Sequence, residues 1–197
     1  MYAEREFTYN GIRQPNRNTL LFRDRNVDGM KTGWTDAAGF CLVASAERDG
    51  MRLITVVMGT ESEEARAIET QKLLTYGFRY YETIKLYSAG ESLAEARIWG
   101  GDKKSLPMGV ADDIYLTIAQ GERDALQAEL EYGEVISAPI AMGETLGKLK
   151  VSIGGEPISL QPTLNRDAET EVDPAPISEP ELVALECVDE AGFFARW

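Results

Sequence analysis

The 197-residue sequence contains no histidine. That absence excludes Ser-His-Asp and Cys-His catalysis within the chain, and every metal site that needs an imidazole. Basic residues are scarce beside acidic ones: 20 Lys and Arg against 33 Asp and Glu give a net charge of −13. A polyphosphate partner such as DNA or RNA is therefore not expected, since that binding runs on clustered cations. Cysteine is limited to Cys41 and Cys187. Cys41 lies in an apolar run and reads as a buried core thiol, and spacing alone does not settle whether the two pair. No apolar run is long enough to span a bilayer. The first residues, Met1 to Glu6, hold no apolar core of a secretion signal. Taken alone, these features predict a soluble, cytoplasmic chain.

What is present is ordinary globular material, 44% hydrophobic and 27% charged. The stretch from Met1 to about Arg25 is polar, with Asn10-Gly11 and Pro15-Asn16 as loop signals. From Val27 the texture changes. Residues 39–46 and 52–58 read as two strands joined by an Asp49-Gly50 hairpin turn. Neither alternates strictly, which predicts a sheet covered on both faces. Thr60-Glu-Ser-Glu63 reads as a capping box opening a helix. Its core stripe is Ala67, Leu74, Phe78 and Tyr81, and Gly77 marks a place where it could end.

After about Thr83 the chain reads as all-β. Residues 113–118, 126–132 and 149–153 alternate, and Gly154-Gly155 reads as a hairpin turn into residues 156–160. Such spacing predicts a small antiparallel sandwich. The expected division is 1–83 and 84–197. Residues 163–181 are acidic and proline-bearing, a linker or long loop. Leu182 to Leu185 is a candidate last strand. The ending, Gly192-Phe-Phe-Ala-Arg-Trp197, is sharply aromatic.

Lys31-Thr32-Gly33, followed by Trp34 and the two strands, resembles the third sequence element of the penicillin-recognising serine enzymes. In particular, it resembles the low-molecular-mass penicillin-binding proteins that act as D-alanyl-D-alanine carboxypeptidases. Residues 7–18 resemble the segment that precedes that element in the family. Gln71 to Phe78 resembles the last helix of its catalytic domain, and residues 84–162 its C-terminal β-domain. The resemblance implies an α+β fold: part of a transpeptidase-like domain, then a small β-sandwich.

It also implies roles. Lys31 is a cation near the substrate's terminal carboxylate, and Thr32 hydrogen-bonds that carboxylate. Gly33 keeps the wall flat for a peptide docked as an added strand. The backbone N–H of Trp34 is one oxyanion-hole donor. The family usually carries His at this position, so groove shape differs here. Arg66 has two readings, a contact to the substrate carboxylate or an exposed helix residue paired with Glu63 at i,i+3.

The implied partners are peptidoglycan stem peptides and β-lactams, with no cofactor and no metal. The implied location is the periplasm, at the periphery of the inner membrane. Phe193, Phe194 and Trp197 resemble the start of a membrane-surface anchor. No serine here lies three residues before a lysine or two before an asparagine. The Ser-x-x-Lys nucleophile and the Ser-x-Asn element are therefore missing from these residues, and the chain alone is expected to be inactive. The alternative expectation is a non-catalytic positioning module, or a β module that binds peptidoglycan or protein. Strands 39–46 and 52–58 also predict self-association through residues 27–81.

Overall fold

A computed structural model describes residues 2–158 and 179–192. The expected linker at 163–181 lies mostly outside these, as do Phe193, Phe194 and Trp197. The chain forms two compact units, Met1–Thr83 and Ile84–Trp197.

In the first unit, the polar opening segment is not the plain loop its composition suggests. Strands β1 (Glu6–Tyr9) and β2 (Ile12–Pro15) pair antiparallel. Asn10 and Gly11 both have positive φ, 50° and 76°, the geometry of a tight two-residue hairpin turn. The hairpin has no buried face, which is why hydrophobic patterning does not reveal it. A one-turn helix, α1 (Leu20–Arg23), then sends Leu20 and Leu21 into the core.

Strands β3 (Val27–Thr35), β4 (Gly39–Arg48) and β5 (Met51–Thr60) form an antiparallel sheet with β4 in the middle. Asp49 and Gly50, both at positive φ, make the turn between β4 and β5. Helix α2 (Glu63–Tyr80) packs on one face of this sheet, against β4 and β5. Leu42, Ala44, Ala46, Met51, Ala67, Leu74 and Phe78 are the centre of that core.

Four details differ from expectation. The helix cap is Ser62, whose hydroxyl accepts from the Ala65 N–H, and not Thr60. Thr60 instead extends β5 and donates its hydroxyl hydrogen to the Phe40 carbonyl. The helix also runs through Gly77 to Tyr80. A Cβ on Gly77 would lie 2.4 Å from Leu53 Cδ1, so this glycine permits a close helix–sheet approach. Tyr81 falls outside the helix and is 40% exposed, so the core stripe ends at Phe78. Finally, β5 alternates: Met51, Thr55 and Val57 are buried, while Ile54, Val56 and Met58 face outward. Among the described residues the sheet is covered on one face.

The second unit is β-rich. Strands β6 (Tyr81–Tyr87) and β9 (Ile114–Ala119) pair with each other. A larger sheet runs in the order β10 (Leu126–Tyr132), β12 (Thr145–Ile153), β14 (Glu181–Ala184), β8 (Ser105–Gly109), β7 (Ser92–Trp99), β11 (Ile136–Ser137). Strand β13 (Glu156–Pro157) folds back on β12 through the Gly154-Gly155 turn. In the larger sheet and its β13 extension every pair is antiparallel except β7 with β11, which is parallel. Two apolar clusters fill the unit, one around Leu106, Met108 and Leu182, the other around Leu116, Leu149 and Val151. Both cysteines are free thiols: Cys41 is half-buried and Cys187 exposed.

Candidate functional site

Lys31, Thr32 and Gly33 lie in the middle of β3, and Trp34 follows on the same strand. Strand β3 pairs only with β4 among the described strands, so its other edge is open. An open edge presents unpaired backbone N–H and C=O groups, which is what an extended peptide needs in order to dock as a further strand.

Cross-strand register fixes where the side chains go. Lys31 lies opposite Val43, and Val43 opposite Val56, so these three share the outward face. Lys31 is exposed there, and its ammonium donates to the Thr32 carbonyl. Thr32 lies opposite Leu42, which lies opposite Val57; Leu42 and Val57 are buried under α2. Thr32 thus belongs to the helix-covered face. Trp34, two residues on, pairs with Phe40 on that face, with ring centroids 5.8 Å apart. Gly33 lies opposite Cys41, and a Cβ there would meet only ordinary contact, 3.9 Å from Cys41 Cβ. Its bare backbone leaves the wall flat without being required by crowding within the chain.

Arg66 enters from the first turns of α2 and is 3% exposed. The exposed-residue reading is therefore overturned, although the pair with Glu63 exists. Arg66 Nη2 donates to the Arg17 carbonyl at 3.2 Å and to Glu63 Oε1 at 3.2 Å. Its guanidinium lies 5.7 Å from the centroid of the Phe40 ring. Burial beside a carbonyl, a carboxylate and a ring face suits a group that cannot give up its charge. The structure thus joins Trp34, Phe40 and Arg66 in one stack on the Thr32 side, with Lys31 across the strand from it.

Two residues of this arrangement carry no motif of their own. Phe40 bridges Trp34 and Arg66, and only the β3–β4 register reveals it. Asn18 is buried, donates its amide to the Gly29 carbonyl at 2.9 Å, and accepts from the Leu20 N–H. It ties α1 to the start of the Lys-Thr-Gly strand. The close Asn16-Arg17-Asn18 spacing is its one trace in the sequence.

Charge near the strand's first turn is organised by Arg52, which binds Asp28 at 2.7 Å, Ser45 at 2.6 Å, and Glu47. Burial pushes the Asp28 carboxyl up, but the hydrogen bonds from Arg52 and Ser45 outweigh it, and the group titrates below the usual carboxylate range. A groove of about 540 Å³ runs along α2 between Leu20, Ile68 and Tyr80. Lys31, Thr32, Gly33, Trp34 and Arg66 do not line it.

Comparison with known proteins agrees with this picture in both units. Residues 1–62 match the family described as D-alanyl-D-alanine carboxypeptidase, and residues 81–171 match the C-terminal domain of penicillin-binding protein 5. The whole chain is 38% identical over 198 residues to the Escherichia coli D-alanyl-D-alanine carboxypeptidase DacC, covering 45% of that protein. It is 42% identical over 162 residues to DacA of Haemophilus influenzae, with 81% of this chain and 41% of that protein covered. The crystal structure of penicillin-binding protein 5 from Haemophilus influenzae superposes with a TM-score of 0.77 at 38% identity, over 96% of this chain and 50% of that one. The chain therefore spans less than half the length of the curated relatives it matches.

Proposed function

The chain belongs to the low-molecular-mass penicillin-binding proteins, the D-alanyl-D-alanine carboxypeptidase family, and from that premise we propose that it supplies the substrate-docking strand and the β-domain of a serine carboxypeptidase. In this reading the first unit is the end of a transpeptidase-like domain, and the reaction removes the terminal D-alanine of a peptidoglycan stem peptide. The peptide extends along the open edge of β3. Thr32 donates its hydroxyl hydrogen to the terminal carboxylate, and buried Arg66, on the same face, supplies the countercharge. The Trp34 N–H donates to the carbonyl oxygen as charge develops on it during attack. Lys31, on the opposite face, holds a proton and a positive charge where the attacking serine arrives. That serine forms an acyl-enzyme, releases D-alanine, and is freed by water. No Ser-x-x-Lys occurs in these 197 residues, so the chain alone performs no acylation. Action takes place in the periplasm, at the inner-membrane surface, where β-lactams compete with the peptide.

The observation that carries this reading is the open edge of β3 with Thr32, Trp34 and buried Arg66 gathered on one side of it. A chimera tests it. The corresponding part of the Escherichia coli relative is replaced by this chain, and the product is incubated with a fluorescent penicillin. Covalent labelling and D-alanine release are expected, both abolished by Lys31→Ala. The unfused chain should not label. A folded chimera that takes up no penicillin, or labelling of the chain by itself, would overturn the assignment.

A second role for the β-rich unit, binding to peptidoglycan, rests on Trp99. It is 51% exposed on β7, with the Arg97 guanidinium 4.6 Å from its ring centroid. Tryptophan and arginine are enriched among the residues that carry binding energy at protein interfaces. Cosedimentation of the chain with isolated peptidoglycan, lost in Trp99→Ala, is the expected result. Equal sedimentation of both proteins would remove this role.

A further inference from the structure

Phe40 stands near the start of β4, opposite Trp34 on β3 and opposite Thr60 on β5. It is half-buried. The Trp34 ring lies 5.8 Å from its ring, tilted by 42°, and the Arg66 guanidinium lies 5.7 Å from its centroid. The hydrogen-bond partners of Arg66 are elsewhere: the Arg17 carbonyl precedes α1, and Glu63 belongs to α2 itself. Among the described residues, Phe40 is therefore the side chain that ties this guanidinium to the sheet carrying the docking strand.

The backbone around Phe40 is irregular in a way that fixes it. Leu42 lies opposite Val57, but Phe40 lies opposite Thr60, so Met58 and Gly59 together face Cys41. This is a β-bulge, with Gly59 at φ 73°. Bulges re-aim side chains and are over-represented beside active sites. Here the bulge brings the Thr60 hydroxyl to the Phe40 carbonyl, 2.8 Å away, and within 3.3 Å of the carbonyl of Ser62, the cap of α2. Gly39 lets the two strands close up at this point. Its φ is 64°, and a Cβ would stand 2.9 Å from the Thr60 carbonyl oxygen and 3.0 Å from the Gly59 carbonyl carbon. These contacts join the start of β4 and the end of β5 to the helix turn that bears Arg66, and all of them are internal to the first unit.

We propose that Phe40 is a positioning residue for Arg66: its ring, fixed by the bulge and by Thr60, holds the guanidinium at the Thr32 side of β3 and so sets the affinity for the terminal carboxylate of the docked peptide. This rests on the reading of Arg66 as the countercharge to that carboxylate. A cation is attracted to the face of an aromatic ring, and an arginine side chain has much rotamer freedom to lose. An aliphatic residue at position 40 fills space but offers no such attraction. The guanidinium then occupies its binding orientation for a smaller fraction of the time, and apparent affinity falls by that fraction. The Trp34 N–H and the attacking serine are untouched, so the loss falls on KM and not on kcat.

The test is steady-state hydrolysis, by the Escherichia coli chimera described above, of a peptide ending in D-alanyl-D-alanine. Phe40→Leu should raise KM at least about threefold and leave kcat within about twofold. Phe40→Tyr keeps a ring and should restore the parent KM. Thr60→Val keeps the side-chain shape, removes the donor to the Phe40 carbonyl, and should also raise KM. In an Arg66→Met background, Phe40→Leu should have no further effect on KM, an outcome that a purely structural role for the ring would not produce. Complete labelling by saturating fluorescent penicillin checks that each variant is folded, and Thr60→Val carries the comparison if Phe40→Leu fails that check. If Arg66→Met raises KM while Phe40→Leu and Thr60→Val do not, or if the Arg66 and Phe40 effects simply add, this proposal alone is overturned. If Arg66→Met leaves KM unchanged, the countercharge reading falls and this proposal falls with it.

Discussion

Replacing Arg66 separates its structural contribution from its proposed binding role. Arg66→Ala removes a guanidinium that is 3% exposed and leaves the Arg17 carbonyl without that donor. A hydrogen bond from a charged group contributes about 1.5–3 kcal/mol. The contact with the Phe40 ring, 5.7 Å away, adds about 0.5–2 kcal/mol in a desolvated setting. The Glu63 carboxylate is 60% exposed, so that pair adds no more than about 0.5 kcal/mol. A loss near 3 kcal/mol follows for the first unit. With a urea dependence of about 2 kcal/mol per molar, its unfolding midpoint falls by about 1.5 M. Trp34 stacks on Phe40 in that unit, so a background with Trp99 and Trp197 replaced by phenylalanine reports the transition by fluorescence. Arg66→Met keeps the apolar stem and should recover part of the loss. A shift of less than about 0.5 kcal/mol for Arg66→Ala, the size expected of a surface change, would refute the account of Arg66 as a buried, bonded anchor. It would return the residue to the exposed reading.

Three further outcomes follow. In Gly147→Ala the new Cβ would stand 2.3 Å from the Glu131 carbonyl oxygen and 2.7 Å from Tyr132 Cβ, and a backbone clash has little room to relax. The second unit should lose at least about 2 kcal/mol, read by denaturant unfolding followed at Trp99. Asn18→Ala removes a buried amide bonded to Gly29 and Leu20 and should cost the first unit about 2 kcal/mol, measured with Trp34 as reporter. Asp28 titrates below its unfolded value, so its stabilising contribution is fully present above the unfolded pKa and is lost as pH falls through the folded one. The stability gap between the parent and Asp28→Asn should therefore hold near pH 6 and close as pH approaches about 2; a gap that widened with acid would contradict the assignment.

The residues that announced themselves in the sequence were those whose neighbours in space are also neighbours in the chain. Asp49-Gly50 and Gly154-Gly155 turn where turn chemistry requires, and β12 alternates because Leu149 and Val151 go into the core while Lys148 and Lys150 stay out. The β1–β2 hairpin was hidden because it buries nothing. The cap at Ser62 was misplaced by two residues because Thr60 is claimed by the Phe40 carbonyl, a partner twenty positions away. Gly77, a weak helix residue by propensity alone, admits Leu53 against the helix. The acidic stretch read as a linker and the aromatic ending fall mostly outside the described residues. At the candidate site, Lys31, Thr32 and Gly33 were legible as a motif with flanks. The grouping of Trp34, Phe40 and Arg66 was not, because it depends on the pairing of β3 with β4 and on where α2 packs against β4.

That grouping bears on Trp34, which stands where the resemblance implies a histidine. A strand offers three surfaces at once: two faces that alternate by residue, and an edge made of backbone. Lys31 uses one face, and Thr32 and Trp34 use the other. The proposed oxyanion donor belongs to the edge, and a backbone N–H survives any substitution except proline. In the proposed docking mode a tryptophan at position 34 would change what lies beside the peptide without touching that donor or the lysine across the strand. Its indole already rests on Phe40, and Phe40 rests on Arg66. Under the proposed docking mode, Trp34 would act on the side of the terminal carboxylate and so on which peptides fit.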